Sequence, residues 1–373
     1  MNSDSRSSLQ QLMEILLFEM VSLLKYGFTN ATFRQGKPYL LLSIHSKGVY
    51  LMFFSTYNAI YAVEDNGNGE PILLYDDTDP NDNGRSTHGT IVSLSNNQSV
   101  ITAMSDGTLM ILSDDDERRI PTGIDDPIAS LLVVREDPLT ILIGTDEGAH
   151  IYRLVGEEGP AERVTTFDEL DCRKDWYTPW GGPPAVRTLA KTNDGYCYAD
   201  IHVGSIMRSN DEGISWEPVT PDLNKDVHQV ATCPVDDNRV YANTQNGVYV
   251  SVDRGHSWKN RIEGLPVRYG TAIAVHPEDP DLMIAAVQKG PRGGGAWLCR
   301  SEDGGGTWTE LNDQFNESTD RISTGFITFS SEGTAWAVIG KTLYKGNNRA
   351  ADWNPFWTVP DCDEEYPIKT LTP

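Results

Sequence analysis

The chain has 373 residues and a formal net charge of −24, so it lacks the basic surface with which proteins neutralise phosphates. Nucleic acids and anionic membranes are therefore excluded as expected partners. Its 33 Gly and 21 Pro are typical of short strands joined by turns, and its five scattered cysteines, with no C-x-x-C pair, indicate reduced thiols and a cytoplasmic location.

The first apolar segment of the chain runs from Leu12 to Leu24 and is interrupted by Glu14 and Glu19. A membrane span needs about 20 apolar residues, and a signal peptide needs an uncharged apolar run after a basic lead. The segment meets neither requirement. It predicts instead a short helix within residues 1–27, packed on the remainder of the protein or on a partner, and no membrane span.

From residue 28 onward, pairs of apolar runs flank turn residues, which is the pattern of a β-hairpin. The pairs recur at intervals of roughly 40 to 50 residues, the length of one four-stranded propeller blade. Their turns are His45–Gly48, Ser105–Gly107, Thr145–Gly148, His202–Gly204, Thr244–Gly247, Gln288–Gly295 and Gly340–Lys341. We predict an all-β fold: a seven-bladed β-propeller of four-stranded antiparallel blades over residues 28–360, followed by a C-terminal tail, 361–373. Six or eight blades are the alternatives.

One motif, S-x-D-x-G-x-[ST]-W, occurs three times, with its copies 42 and 50 residues apart. Asp accepts backbone N–H bonds in tight turns, Gly tolerates a positive φ, and the Trp can cover the edge of a blade. These residues are therefore predicted to be structural. They are Ser209, Asp211, Gly213 and Trp216 in the first copy, Ser251, Asp253, Gly255 and Trp258 in the second, and Ser301, Asp303, Gly305 and Trp308 in the third.

The motif resembles the Asp-box, or BNR repeat, of the sialidase-like β-propeller superfamily. Between Trp180 and Trp308 the chain also resembles bacterial and archaeal sialidase-like repeat proteins of unassigned function. The resemblance implies the propeller fold. It leaves function open, because the superfamily includes glycosidases, assembly factors and binding modules.

A sialidase of this superfamily carries an aromatic-Arg-Ile-Pro string before its first Asp-box, together with an arginine triad that binds the sugar carboxylate. The nearest string here is Arg118-Arg119-Ile120-Pro121, which has Arg118 in the aromatic position and follows a degenerate box. The sequence therefore argues against a true sialidase.

A candidate site lies at one mouth of the central channel, because the D–A and B–C connections of a propeller share one face. Aligning the innermost strands places Arg187 and His228 at equivalent positions, with His88 within two residues of the same position. His202 lies in a B–C turn, and a long aromatic connection, Asp171–Pro184, opens on the same face. The predicted ligand-binding residues are Arg187, His202, His228, His88, Trp176, Tyr177 and Trp180.

These residue types allow three kinds of ligand. Neutral imidazoles from His88, His202 and His228 form a candidate site for a divalent metal, the one cofactor that the sequence indicates. Arg187 favours an anionic group, and Trp176 and Trp180 offer surfaces on which a glycan can stack. The expected partners are accordingly a protein or a small anionic or glycan ligand.

The favoured function is a non-catalytic ligand-binding, protein-binding or assembly propeller that acts through this mouth. The alternative is an enzyme, a metal-assisted or glycan-directed hydrolase or lyase, with its site in the same place. No catalytic residue is assigned from the sequence, and the pattern does not decide between the two.

Overall fold

The computed structural model describes residues 51–373, apart from 65–68, 77–86, 97, 114–115, 220–221, 317–319 and 361–363, together with two short paired strands, Ala31–Thr32 and Leu41–Leu42. The predicted helix within residues 1–27 and the turn predicted at His45–Gly48 lie outside the described residues. Side chains of residues 87–89 also lie outside them.

Seven four-stranded antiparallel sheets follow one another around a central channel, which confirms the predicted propeller and its blade count. We letter the strands of each blade from A, at the channel, to D, at the rim. Blade 1 contains Ile368–Thr372, Leu51–Thr56, Ala59–Glu64 and Ile72–Asp76; blade 2, Thr87–Ser93, Ser99–Met104, Thr108–Ser113 and Glu117–Pro121; blade 3, Ile128–Glu136, Leu139–Thr145, Ile151–Val155 and Glu162–Arg163; blade 4, Val186–Lys191, Cys197–Ile201, Ser205–Ser209 and Glu217–Pro218; blade 5, Val227–Cys233, Asp236–Thr244, Gly247–Ser251 and Lys259–Arg261; blade 6, Tyr269–His276, Asp279–Gln288, Ala296–Ser301 and Thr309–Glu310; blade 7, Ile327–Phe329, Ala335–Ile339, Thr342–Asn347 and Asp352–Thr358.

Blade 1 joins the two ends of the described chain, because its A strand, Ile368–Thr372, pairs with Leu51–Thr56. The strand lies beyond the predicted propeller boundary at 360, so the prediction of a tail at 361–373 is corrected by this pairing. The B–C turn of blade 1 falls between Thr56 and Ala59, which also corrects the hairpin predicted at 45–48. The other six predicted turns each lie between a B strand and a C strand.

The three S-x-D-x-G-x-[ST]-W copies form the C–D turns of blades 4, 5 and 6. In the first copy, the Ser209 hydroxyl donates to Asp211 Oδ1 at 2.8 Å and accepts the Gly213 N–H at 2.9 Å. Asp211 Oδ1 in turn accepts the Ser215 N–H at 2.8 Å. The second and third copies repeat all three bonds. Gly213 has φ +82°, and a Cβ there would meet Leu142 at 2.6 Å, so both the turn and its packing require glycine.

The tryptophan of each turn packs between its own blade and the preceding one. Trp216 is 7% exposed and belongs to a cluster that includes Leu142 of blade 3 and Met207 of blade 4. Similar clusters fill the other interfaces between blades, so the core is divided among the blade junctions. The A strands enclose a channel cavity of about 770 Å³. One α-helical turn, Thr165–Asp168, and two 3₁₀ turns, Asp171–Asp175 and Asn312–Gln314, interrupt the described strands.

Cys197, Cys233 and Cys299 are buried free thiols, and Cys172 is a half-buried one. Within the described ranges, no helix has the length and apolar content that crossing a bilayer requires.

Candidate functional site

A β-bulge at the start of the A strand positions each of the two strand residues predicted at the mouth. In blade 4 the pairing passes from Val186 to Thr188 and leaves Arg187 without a partner; in blade 5 it skips His228 in the same way. Blades 3 and 6 have bulges at the equivalent places. Because a bulge turns one side chain away from the regular alternation, these positions can face the mouth instead of the sheet.

The D–A and B–C connections of blades 3 to 6 surround two adjoining cavities, of about 430 and 400 Å³, that we call the mouth. Both cavities are lined by Trp180, Tyr269 and Pro291. The first is also lined by Asp226, Arg268 and Lys289, and the second by Arg187, His202 and Arg292. The structure therefore brings together Arg187, His202 and Trp180, as the alignment of blades expected. Cavities of this size suit small ligands.

Arg187 lies between the mouth and the central channel and lines cavities in both. No hydrogen bond or ion pair joins its guanidinium to another described residue. Its charge acts on Asp200, a fully buried carboxyl on the neighbouring B strand. Burial raises the pKa of Asp200 to about 6, against an opposing effect of Arg187 and of the Thr188 hydroxyl, which donates to Asp200 Oδ1. Asp200 Oδ2 has no hydrogen-bond partner among the described residues.

His202 is a neutral imidazole at physiological pH. Burial, and then the charge of Arg187, lower its pKa to about 4, although Asp226 acts in the opposite direction. Its Nε2 lies 3.9 Å from Asp226 Oδ1. A neutral ring lining the cavity can exchange hydrogen bonds with ligand hydroxyl groups.

Asp226 is an ionised carboxylate in the first cavity. Burial alone would raise its pKa, but the hydrogen bond and charge of His228, with smaller effects of His202 and Arg187, lower it below the ordinary value. Its Oδ1 is 3.1 Å from His228 Nε2. Asp226 is thus held in one orientation and stays negative.

His228 is only 1% exposed, which corrects its predicted role as a ligand-contacting residue. Its Nδ1 lies against the carbonyl oxygen of Gly270, and its ring centroid is 4.6 Å from that of Tyr269. With Nε2 directed at Asp226, neither ring nitrogen is open to a metal. His228 thus contacts both Asp226 and Tyr269 from the protein interior and helps to hold them in position.

Within the described residues, no group of three His, Cys, Asp or Glu side chains is arranged to hold a metal ion. The backbone of His88 belongs to the A strand of blade 2, Thr87–Ser93, and its side chain lies outside the described residues.

The aromatic connection divides into one buried and two exposed rings. Trp176 is 8% exposed and packs against Phe167 and the Arg173 guanidinium, so its predicted ligand contact is corrected: it anchors the loop in the core. Tyr177 and Trp180 are 56% and 64% exposed. Trp180 lines both cavities, whereas Tyr177 lines neither.

Sequence reasoning missed Tyr269, Asp226 and Asp200. Asp226 and Tyr269 each lie two residues before a bulge position, so a search of the segments before the A strands would have found them. Asp200 gave no such signal, because an aspartate within a strand is recognisable as buried only when its neighbours are known.

The string Arg118–Pro121 lies far out on the D strand of blade 2, Glu117–Pro121. Arg118 pairs with Asp116 and Glu157, and Arg119 pairs with Glu117. These arginines are held by neighbouring carboxylates at the rim of the propeller and do not line the mouth.

Comparisons with known proteins find sequence similarity to a sortilin-type family model and to xyloglucanases. A family model described as sortilin, neurotensin receptor 3, matches residues 204–297. A xyloglucanase of Paenibacillus sp is 30% identical over 203 residues, which cover 43% of this chain and 19% of that enzyme. The chain spans about a fifth of the length of the curated xyloglucanases it matches.

Two solved structures share the fold. An ancestral GH74 enzyme superposes with a TM-score of 0.55 at 17% identity, covering 73% of this chain and 38% of its own. YCF48 bound to D1 peptide superposes with a TM-score of 0.51 at 14% identity, covering 78% and 89%. At these identities both solved structures show the shared propeller fold alone.

The favoured prediction of a non-catalytic module is contradicted by the xyloglucanase relatives, which support the alternative of a glycan-directed hydrolase. The error has a physical cause. The repeats that dominate the sequence specify turns and blade packing, and they carry no information about the chemistry at the mouth.

Proposed function

We propose that this propeller is a glycoside hydrolase of the xyloglucanase-like kind, with Asp-box turns of the sialidase-like type as its scaffold, and that it binds a saccharide at the mouth. The observation that carries the proposal is an oriented, ionised carboxylate, Asp226, in a cavity that two aromatic rings line. Glycoside hydrolysis uses such a carboxylate as nucleophile or as general base.

The aromatic rings give the saccharide a surface. Trp180 belongs to the Asp171–Pro184 connection and is 64% exposed. Tyr269 lines the same cavity from the start of blade 6. The apolar face of a pyranose packs on such rings, while its hydroxyl groups bond at the edges. His202 and Gln245 offer polar groups at those edges.

Asp226 is suited to act at the anomeric carbon. Its negative charge is kept by the hydrogen bond from His228, and His202 stands 3.9 Å from the same oxygen. As a base it would take a proton from water while the water oxygen bonds to the anomeric carbon, the glycosidic C–O bond breaks and the leaving oxygen takes up a proton from solvent. As a nucleophile its own oxygen would bond to the anomeric carbon while the leaving oxygen is protonated by solvent, and water would then hydrolyse the glycosyl ester and free the carboxylate.

The test is release of reducing ends from xyloglucan and from polygalacturonate by the wild type and by Asp226→Ala. The wild type should cleave one of the polysaccharides, and the variant should lose at least a thousandfold in kcat. Added formate should restore part of the turnover in Asp226→Ala, because a small carboxylate can occupy the space of the missing one. If a folded Asp226→Ala variant retains its turnover, the proposed catalytic role of Asp226 is wrong.

A further inference from the structure

The arginines without ion pairs concentrate at the mouth. Most arginines in the described ranges have a carboxylate partner, as Arg208 has Glu217 and Arg239 has Asp281. The described arginines that form no ion pair with a described residue are Arg187, Arg261, Arg268, Arg292 and Arg321. All but Arg261 lie at the mouth: three line its cavities, and Arg321 donates to the Pro291 carbonyl oxygen at 3.4 Å.

The composition of the chain makes this distribution unusual. With 54 acidic and 30 basic residues, a surface cation in this protein has carboxylates in excess as partners. Lys289 adds a further positive charge, and Asp226 is the one carboxylate among the described residues that line the two cavities. Asp226 is already engaged by His228. The surplus positive charge is therefore available to a ligand.

Two of these arginines, Arg187 and Arg292, line the second cavity of the mouth. Arg187 stands at the inner end of the second cavity beside His202, and Arg292 lines the same cavity from the B–C connection of blade 6. A guanidinium binds a carboxylate or sulfate through two parallel N–H bonds, and partial burial strengthens such a pair. The bulge that turns Arg187 out of the sheet fixes where that pair would form.

We infer that the mouth binds an anionic saccharide, a chain that carries uronate carboxylates or sulfate esters, with the charged group on Arg187 and Arg292 and a sugar ring on Trp180. This inference rests on the proposed function and names its substrate class. The inferred substrate differs in charge from the neutral xyloglucan named for the matched relatives, which offers no anionic group to the arginines that lack an ion pair with a described residue.

The experiment is isothermal titration of the full chain with three oligosaccharides of similar length: trigalacturonate, a sulfated galactotriose and neutral cellotriose. The variants are Arg187→Gln and Arg292→Gln, with Lys259→Gln as a charge-matched control. Lys259 is exposed on the D strand of blade 5, next to the C–D turn and away from the mouth. Thermal unfolding of each variant confirms that it is folded.

We expect an anionic ligand to bind at least tenfold more tightly than cellotriose, and each arginine variant to lose at least tenfold of that affinity while Lys259→Gln loses none. Comparison of the affinities for trigalacturonate and for the sulfated galactotriose shows which anionic group the protein recognises. Equal binding of cellotriose, or equal losses in Lys259→Gln, would overturn the inference.

The proposed function can fail separately from this inference. If the protein binds an anionic oligosaccharide but releases no reducing ends from either polysaccharide, the inferred ligand class stands and the proposed hydrolase function is wrong. If the protein cleaves neutral xyloglucan but binds no acidic oligosaccharide, the proposed hydrolase function stands and the inferred ligand class is wrong.

Discussion

At the residue scale, Asp200 stands out because a neutral side chain would fit its surroundings better than a carboxylate. In blade 4 it pairs with Thr188, and the matching position of blade 5 holds Asn243, which pairs with Gln229. The Asn243 amide donates to the carbonyl oxygens of Ala272 and Ala286. Asp200 has no donor to offer when ionised, and the charges of described residues that stabilise its ionised form are those of Arg187 and, more weakly, His228.

Asp200→Asn should therefore stabilise the protein in a pH-dependent way. The folded-state pKa of about 6 lies above the ordinary value of 3.8, so the folded protein binds the proton more tightly, and stability falls as pH rises through this window. At pH 7.5 the substitution should raise the free energy of unfolding by roughly 2 to 3 kcal/mol. At pH 4 it should have little effect.

Urea unfolding of both proteins at the two pH values measures this difference. An equal effect at pH 4 and pH 7.5 would contradict the assigned pKa. His202 acts in the opposite sense, because its pKa of about 4 is lower than the 6.5 of a free imidazole and stability is lost as pH falls between those values. The comparison must therefore be made between variant and wild type and not along the wild-type curve alone.

At the element scale, the repeated C–D turn is a hydrogen-bonded unit around one aspartate. Asp253 accepts the Ser257 N–H at 2.8 Å and the Ser257 hydroxyl at 2.6 Å. The Ser251 hydroxyl donates to the same carboxylate at 2.8 Å. The turn in this way seats Trp258, which is 7% exposed, against the core between blades 4 and 5.

Asp253→Ala should lower the free energy of unfolding by about 2 kcal/mol, because three donors lose their acceptor at once. Asp222→Ala, at an exposed aspartate with no hydrogen bond to another described residue, is the control and should change stability by less than about 0.5 kcal/mol. Chemical denaturation at neutral pH measures both. Equal effects of the two substitutions would show that the turn contributes only through its backbone.

The elements that could be predicted from sequence are those with local signals. Six of the seven B–C turns were located because turn residues lie between apolar runs, and the turn around Asp253 was located from its spacing. The first hairpin was misplaced because its turn, Tyr57-Asn58, carries no glycine. At the mouth, the proximity of Arg187 and His202 could be predicted from blade register, and that of Trp180 from the long aromatic connection. Burial of Trp176 and His228 depends on packing between blades, which no local pattern reveals.

At the scale of the whole molecule, the ring is closed by the pairing of Phe53 with Thr372 and Phe54 with Leu371. Ile368 is fully buried, and Leu371 is 6% exposed. The Leu371 N–H also bonds to the Gly325 carbonyl oxygen at 2.8 Å, which ties blade 1 to the segment that precedes blade 7. The last strand thus holds two neighbouring blades at once.

Removal of residues 367–373 should leave an unpaired edge on Leu51–Thr56 and open the ring. We expect a broadened urea transition and concentration-dependent association, measured by circular dichroism and light scattering. Leu371→Ala is the milder control and should cost about 3 kcal/mol with a sharp transition retained. A truncated chain that unfolds sharply as a monomer would contradict the closure.

The mouth is proposed as a saccharide site with catalytic function, and two exposed aromatic residues on one connection test this claim most directly. Trp180 lines both cavities of the mouth, and Tyr177, three residues earlier, is similarly exposed and lines neither. The measurement is kcat/KM for whichever of xyloglucan and polygalacturonate the wild type cleaves, in Trp180→Ala and Tyr177→Ala. We predict a loss of at least tenfold in Trp180→Ala and wild-type kinetics in Tyr177→Ala. Equal kinetics in the two variants, or no cleavage of either polysaccharide by the wild type, would contradict the claim.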